Sequence, residues 1–261
     1  MAKVLCLGLL ALGFTTHQAA ASDNAAQASD PKPSLFLHEA ATSFFTAGNT
    51  PVATPHPKRA NFEQEQRSRE AQLVADWVVD SGDNRGLPFA IVDKMDAKVF
   101  VFDPDGRLRG AAPALLGIAR GDDSAPGIGE RKLSDIRPEE RTTPAGRFEA
   151  SIGYNFSGKD VLWVDYDTAV SLHRVVTSNS AERRLERLST PTPLDNRISY
   201  GCINVPEKFF NSVVSPTFTG TTGIVYVLPE TRPSSEIFAL YYDVDSRWKT
   251  GITAHLHEGT R

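Results

Sequence analysis

The chain has 261 residues, 40% hydrophobic and 23% charged, the composition of an ordinary globular protein of one or two domains. That excludes wholesale disorder, a collagen-like repeat and a multispanning membrane protein. With 28 Lys+Arg against 32 Asp+Glu the formal net charge is -4, and no basic stripe offers a footprint for nucleic acid. Two cysteines, Cys6 and Cys202, are too few for a disulfide framework, so their positions matter more than their number.

Lys3 is followed by a largely apolar run from Val4 to Phe14 and then by the small residues Ala19, Ala20, Ala21 and Ser22. This pattern predicts a secretory signal peptide over 1–21, cleaved near Ala21. The apolar run is about half of the roughly 20 residues that cross a bilayer, so no transmembrane segment is expected after cleavage. Cys6 follows the bulky Leu5 and comes too early for an apolar run to precede it, which excludes it as a lipidation site. Cleavage discards it. Cys202 is then a single thiol in an oxidising compartment, either an inert buried side chain or one retained for chemistry.

Residues 22–85 read as an N-terminal linker plus an amphipathic helix. Pro31, Pro33, Pro51, Pro55 and Pro57 interrupt the first part. Over 61–80, Phe62, Val74, Trp77 and Val78 fall on one face, and the helix is expected to stop at the turn cluster 81–84. From 86 to 232 the chain is strand-rich. Strands are predicted at 89–93, 98–102, 146–152, 161–166, 169–175 and 223–228, with a hairpin turn at Asp103-Pro104-Asp105-Gly106. Helices are predicted at 180–188, where Glu182, Arg183, Arg184, Glu186 and Arg187 would form a solvated charged face, and after Pro206, where Phe209, Phe210, Val213 and Val214 recur at helical spacing. The fold class is mainly β, a β-rich α+β domain, and residues 233–261 form a C-terminal extension.

Several motif-like strings carry no chemistry. The Asp103 turn lacks the glycine and glutamate positions of a calcium loop. Gly127-Ile128-Gly129 is not completed into a phosphate-binding fingerprint. The S-x-x-K and K-T-G strings at 246–251 overlap on Lys249, whereas a working site needs them on separate elements. His255 and His257 lack metal-protease spacing and lie in a polar tail. No metal or organic cofactor is expected.

The informative stretch is Ser199-Tyr200-Gly201-Cys202-Ile203-Asn204-Val205-Pro206. A glycine before a cysteine lets the backbone turn sharply, and Pro206 can open a helix behind it. A thiol becomes a nucleophile only as a thiolate, which needs a nearby base or positive charge. Within the strand-rich region the single histidine is His173, which alternation places on one face of a strand.

These residues resemble the YkuD-type L,D-transpeptidase family, cysteine enzymes that remodel peptidoglycan. The segment 199–204 is similar to the family's Ser-His-Gly-Cys-(Ile/Val)-(Arg/Asn) box, and Leu172-His173 to its upstream histidine. Thr143-Pro144-Ala145-Gly146-Arg147-Phe148 matches its Thr-Pro-x-Gly-x-Phe segment, and Val101-Phe102-Asp103 to Gly106 its early hairpin. Together they span about 86–232. The resemblance implies a β-sandwich-like catalytic domain with short helices in a periplasmic protein. It implies Cys202 as the acylated nucleophile and His173 as general base, oriented by a nearby backbone carbonyl. The N–H groups of Gly201 and Cys202 would be oxyanion donors, with Ser199 and Asn204 holding the loop or touching substrate. Tyr200 departs from the family's histidine and leaves only a phenol as a donor there. The stretch 181–193 would be an enlarged lid. The implied partners are peptidoglycan stem peptides, with a wall-attached protein as a further acceptor. The implied reaction is acyl transfer from a stem tetrapeptide; hydrolysis by the same residues, as an L,D-carboxypeptidase or amidase, is the alternative, and a catalytically silent wall-binding module is a third reading.

Overall fold

The computed structural model describes residues 56–249. The chain divides into two units, Met1–Val52 and Ala53–Arg261, and the described residues lie in the second. The expected signal peptide, most of the expected linker, His255 and His257 lie outside them. Among the described residues no helix is long and apolar enough to cross a membrane.

The elements are α1 (Arg69–Ser81), β1 (Phe89–Asp93), β2 (Lys98–Phe102), β3 (Leu108–Pro113), β4 (Leu116–Gly117), β5 (Gly146–Tyr154), β6 (Asp160–Asp165), β7 (Val170–Arg174), α2 (Arg184–Ser189), β8 (Arg197–Ser199) and β9 (Ile203–Val205). A helical stretch follows, α3 (Glu207–Phe209), a π turn over Phe210–Val214 and α4 (Ser215–Phe218), and then β10 (Gly223–Val227) and α5 (Ser234–Ile237). Eight strands form one sheet in the order β3-β2-β1-β10-β5-β6-β7-β9. β1 with β10 and β7 with β9 are parallel; the other neighbours are antiparallel. β4 and β8 form a small parallel pair. The chain leaving β3 bonds β2 through Ala114 N–H to Ala97 O and then β9 through a reciprocal Leu115–Asn204 pair, so the two sheet edges meet at that corner. The architecture is mainly β, with short helices on the sheet.

Alternation in β1, β2 and β10 feeds two cores rather than one core and water. Ala90, Val92, Val99, Val101, Val225 and Val227 pack inward with Phe209, Phe210 and Phe218. Phe89, Ile91, Phe100, Phe102, Ile224 and Tyr226 pack outward against Phe62, Trp77, Val78 and Phe238. Burial on both faces explains why these strands read as continuous apolar runs.

Two expectations need correction, and a third feature was not foreseen. Helix α1 starts at 69, not 61. Ser68 caps it by accepting from the Ala71 N–H at 3.0 Å, while Asn61 is already committed to the β2–β3 hairpin through bonds with Gly106 and Leu108. Phe62 therefore lies outside the helix and packs edge-on against Phe100 and Phe102 at 5.2 and 5.0 Å. Second, the segment 180–188 is a short 3-10 turn followed by α2, and its charges are not uniformly solvated: Glu182, Arg184 and Arg187 are partly buried while Arg183 and Glu186 are exposed. Third, β8 and β9 flank Cys202 as three-residue strands that alternation over so short a length does not announce.

A buried ionic cluster joins the elements around the cysteine loop. Lys94 Nζ is fully buried and donates to Asp122 Oδ1 at 2.7 Å, Gly121 O at 2.6 Å and Thr143 O at 3.0 Å. Asp122 also accepts from the N–H groups of Glu230, Thr231 and Arg232. Arg197 on β8 bonds Glu230 at 2.6 Å and Lys94 O at 2.9 Å. Burial pushes the Asp122 carboxyl up, but the bonds from Lys94, Thr231 and the backbone outweigh it and hold the group below the usual carboxylate range. Removing one member leaves the others charged in the dry interior. Lys94→Met is expected to lower unfolding stability by about 3 to 5 kcal/mol, measured by urea denaturation at neutral pH; a loss below about 1 kcal/mol contradicts this reading.

Candidate active site

β7 and β9 run parallel with Leu172 opposite Ile203 and His173 opposite Asn204. Leu172 enters the inner core, so Ser171 and His173, one residue to either side, share the other face. Cys202 immediately precedes β9. Its Sγ lies 3.8 Å from Ser171 Oγ and 3.6 Å from Ala169 O, and the side chain is half-buried. Ala169 holds a left-handed backbone at φ 56°, which turns its carbonyl toward the sulfur at the entry to β7.

His173 Nδ1 is 2.7 Å from the carbonyl oxygen of Arg174. A carbonyl only accepts, so Nδ1 carries the proton and Nε2 is the basic nitrogen of the neutral ring. Burial pulls the His173 imidazole down, but its hydrogen bond to Cys202 and the attraction of the thiolate outweigh that and raise its proton affinity. For Cys202, burial pushes the thiol up; the hydrogen bond and charge of His173, with bonds from the Ser171 backbone and side chain, outweigh it and bring the thiol below its usual value. Both shifts favour an imidazolium–thiolate pair, which titrates as a unit.

The loop before β9 is held from within. Ser199 Oγ donates to Cys202 O at 2.6 Å and accepts from the Gly201 N–H at 3.1 Å. The Gly201 N–H is therefore engaged inside the loop. Asn204 Nδ2 donates to Cys202 O at 3.1 Å. Thr143, fully buried, accepts from the Gly117 N–H at 2.9 Å and donates to Gly201 O at 2.8 Å. Gly201 has φ +128°, and a Cβ there would lie 2.6 Å from Thr142 O, so only glycine lets the loop lie against the Thr142–Thr143 segment.

The structure thus gathers Cys202, His173, Ser199, Gly201 and Asn204. Tyr200 is on the same loop but over a third exposed, its ring 3.9 Å beneath the Arg141 guanidinium. Ser171, Thr143 and Arg184 are neighbours that the sequence reading left without a role. Ser171 was accessible by alternation, two residues before His173. Thr143 lies in a recognised segment, but nothing local says that its hydroxyl bridges two backbones. Arg184 was hidden in a charge run and reaches Asn204 Oδ1 with Nη1 at 2.9 Å.

No family model matches the chain, and no curated protein does. Solved structures are similar to it at a distance. The helical cell shape determining protein Pgp2 from Campylobacter jejuni is 15% identical over 56% of this chain and 49% of its own, with a TM-score of 0.36. An L,D-transpeptidase from Mycobacterium tuberculosis H37Rv is 15% identical over 54% and 57%, with a TM-score of 0.34. The catalytic domain of the E. faecium L,D-transpeptidase is 19% identical over 54% and 95%, with a TM-score of 0.30. The chain spans about half the length of the first two. At TM-scores this low the likenesses assign no activity to it.

The paired shifts have a direct readout in the alkylation rate of Cys202 by iodoacetamide as a function of pH. Because the folded thiol is lowered, its thiolate should persist below the pH at which a free cysteine protonates. In His173→Gln the cation is lost and only the Ser171 bonds oppose burial, so the profile should move to higher pH, with alkylation at neutral pH falling about tenfold per unit moved. Superimposable profiles would show that the two side chains are uncoupled.

Proposed function

We propose that this chain is an exported cysteine acyltransferase acting on peptidoglycan stem peptides, an L,D-transpeptidase. The observation that carries the reading is the His173–Cys202 arrangement: an imidazole on β7 and a thiol at the head of the neighbouring parallel strand β9, each shifting the other toward the charged pair, with the ring's second nitrogen tied to a backbone carbonyl. The motif resemblance at 143–148, 172–173 and 199–204 supplies the substrate class, and the N-terminal leader pattern supports export to the compartment where that substrate lies.

In this reading the Cys202 thiolate attacks the L-centred carbonyl of the third residue of a stem tetrapeptide. The tetrahedral oxyanion is held by the Cys202 N–H, since the Gly201 N–H is engaged by Ser199. Collapse breaks the bond to the terminal D-residue, whose amine takes the proton from His173 Nε2. A thioester remains. An acceptor amine then attacks it, gives its proton to His173, and restores the thiolate–imidazolium pair. Ser199 and Asn204 both bond the Cys202 carbonyl and keep the nucleophile's backbone still during the two steps. Ser171 Oγ, beside the sulfur, stabilises the thiolate between turnovers.

Incubation with a carbapenem followed by intact-mass measurement tests the nucleophile. Wild type is expected to gain one adduct and Cys202→Ala none; an unmodified wild type, or an adduct that survives the substitution, overturns it. Incubation with purified tetrapeptide stems then separates the acceptors: cross-linked dimers support transfer, and shortened stems alone identify a hydrolase built on the same residues.

A further inference from the structure

The insertion between β7 and β8, residues 175–196, is internally braced. Arg187 donates to Glu182 O at 2.8 Å and to Asp195 O, Thr190 Oγ1 donates to Asp195 Oδ1 at 2.9 Å, and Leu188 is buried. This frame turns one charged side chain toward the nucleophile loop. Arg184, with a side chain only 12% exposed, donates from Nε to Glu182 and from Nη1 to Asn204 Oδ1 at 2.9 Å. Asn204 is the register partner of His173 and donates to the Cys202 carbonyl, so the guanidinium reaches the site one strand away from the imidazole.

A desolvated cation beside a base that must become an imidazolium is unfavourable by itself, and the Arg184 charge does oppose protonation of His173. Glu182 offsets part of that charge. Neither bond uses Nη2, whose N–H donors remain for a charge-assisted hydrogen bond to a second anion. In the function proposed above, the leaving group is a D-amino acid whose amine receives the His173 proton and whose free carboxylate is only one carbon from that amine. The carboxylate therefore arrives beside the imidazole together with the scissile bond.

We propose that Arg184 is the residue that recognises the free α-carboxylate of the leaving D-residue, and so restricts the acyl donor to stems with an unblocked C-terminus. The inference rests on the acyl-transfer reading of the Cys202 site. A bound carboxylate also neutralises the guanidinium, which restores the proton affinity of His173 when substrate is present. Asn204 acts as the arm that sets the guanidinium plane, because its Oδ1 accepts from Arg184 while its Nδ2 is fixed on Cys202.

The test compares kcat/KM for a tetrapeptide stem with a free C-terminal carboxylate and the same stem as its C-terminal carboxamide, using wild type, Arg184→Gln and Arg184→Lys. Wild type should prefer the acid by about ten- to hundredfold, the loss expected for a hydrogen bond to a charged group. Arg184→Gln should lose that factor on the acid and change little on the amide, bringing the ratio near one, while Arg184→Lys should retain a preference for the acid. Alkylation of Cys202 by neutral iodoacetamide at a rate within a few-fold of wild type verifies that the variants keep the site folded. If Arg184→Gln fails that check, the wild-type ratio and the retained preference of Arg184→Lys decide. Equal rates of wild type on acid and amide, or an equal loss on both in Arg184→Gln, overturn the role of Arg184 and leave the acyl-transfer reading standing. No turnover of either stem by a wild type whose cysteine alkylates normally overturns both.

Discussion

Everything at the site depends on the parallel pairing of β7 with β9. Parallel neighbours cannot be joined by a tight turn, so a long connection must separate His173 from Cys202 in sequence while the sheet sets them side by side. The register does the rest. With His173 opposite Asn204, the residue two before each on the chain, Ser171 and Cys202, also meet, and the sulfur comes to lie against a hydroxyl and a carbonyl at the head of β7. A slip of one residue would turn Ser171 and His173 into the inner core and bring Leu172 out. The buried alternation of β7 guards against that slip.

The long connection is used rather than merely tolerated. It carries α2 and the braced insertion, which brings Arg184 against Asn204. It also carries Arg197, which ties β8 to the Lys94, Asp122 and Glu230 cluster. Short strands such as β8 and β9 have few ladder bonds of their own. Their position is secured by side-chain bonds that close over long sequence separations, in a region where Lys94, Asp122 and Thr143 are almost wholly removed from water. A buried ionic cluster adds little net stability over a well-packed apolar one, but its directional bonds specify one arrangement of the segments around the cysteine.

The cysteine loop shows the same economy. Ser199 and Asn204 converge on one carbonyl, that of Cys202, and Thr143 takes the carbonyl of Gly201. These bonds fix the backbone that carries the sulfur. The cost falls on Gly201, whose positive φ and contact with Thr142 O allow no side chain, and whose N–H is engaged by Ser199.

Much was legible in the sequence because it depends on local rules. The β-rich class, the strands 89–93 and 98–102, the Asp103 hairpin turn and the importance of a glycine before Cys202 follow from alternation, turn chemistry and the absence of Cβ. Cys202 and His173 could also be singled out as candidates, as the single thiol of the expected mature chain and the single histidine of its strand-rich region. The tertiary structure alone decided what involves residues distant in the chain. It moved the start of α1 to 69, because Asn61 bonds a hairpin more than forty positions away, and it gave Phe62 to the outer core. It engaged the Gly201 N–H with Ser199, linked Thr143 to the loop, and drew Arg184 out of a charge run that looked solvated. Periodicity reports which face of an element is apolar; it carries no information about which polar atom a distant backbone group will meet, and the chemistry of this site is made of such meetings.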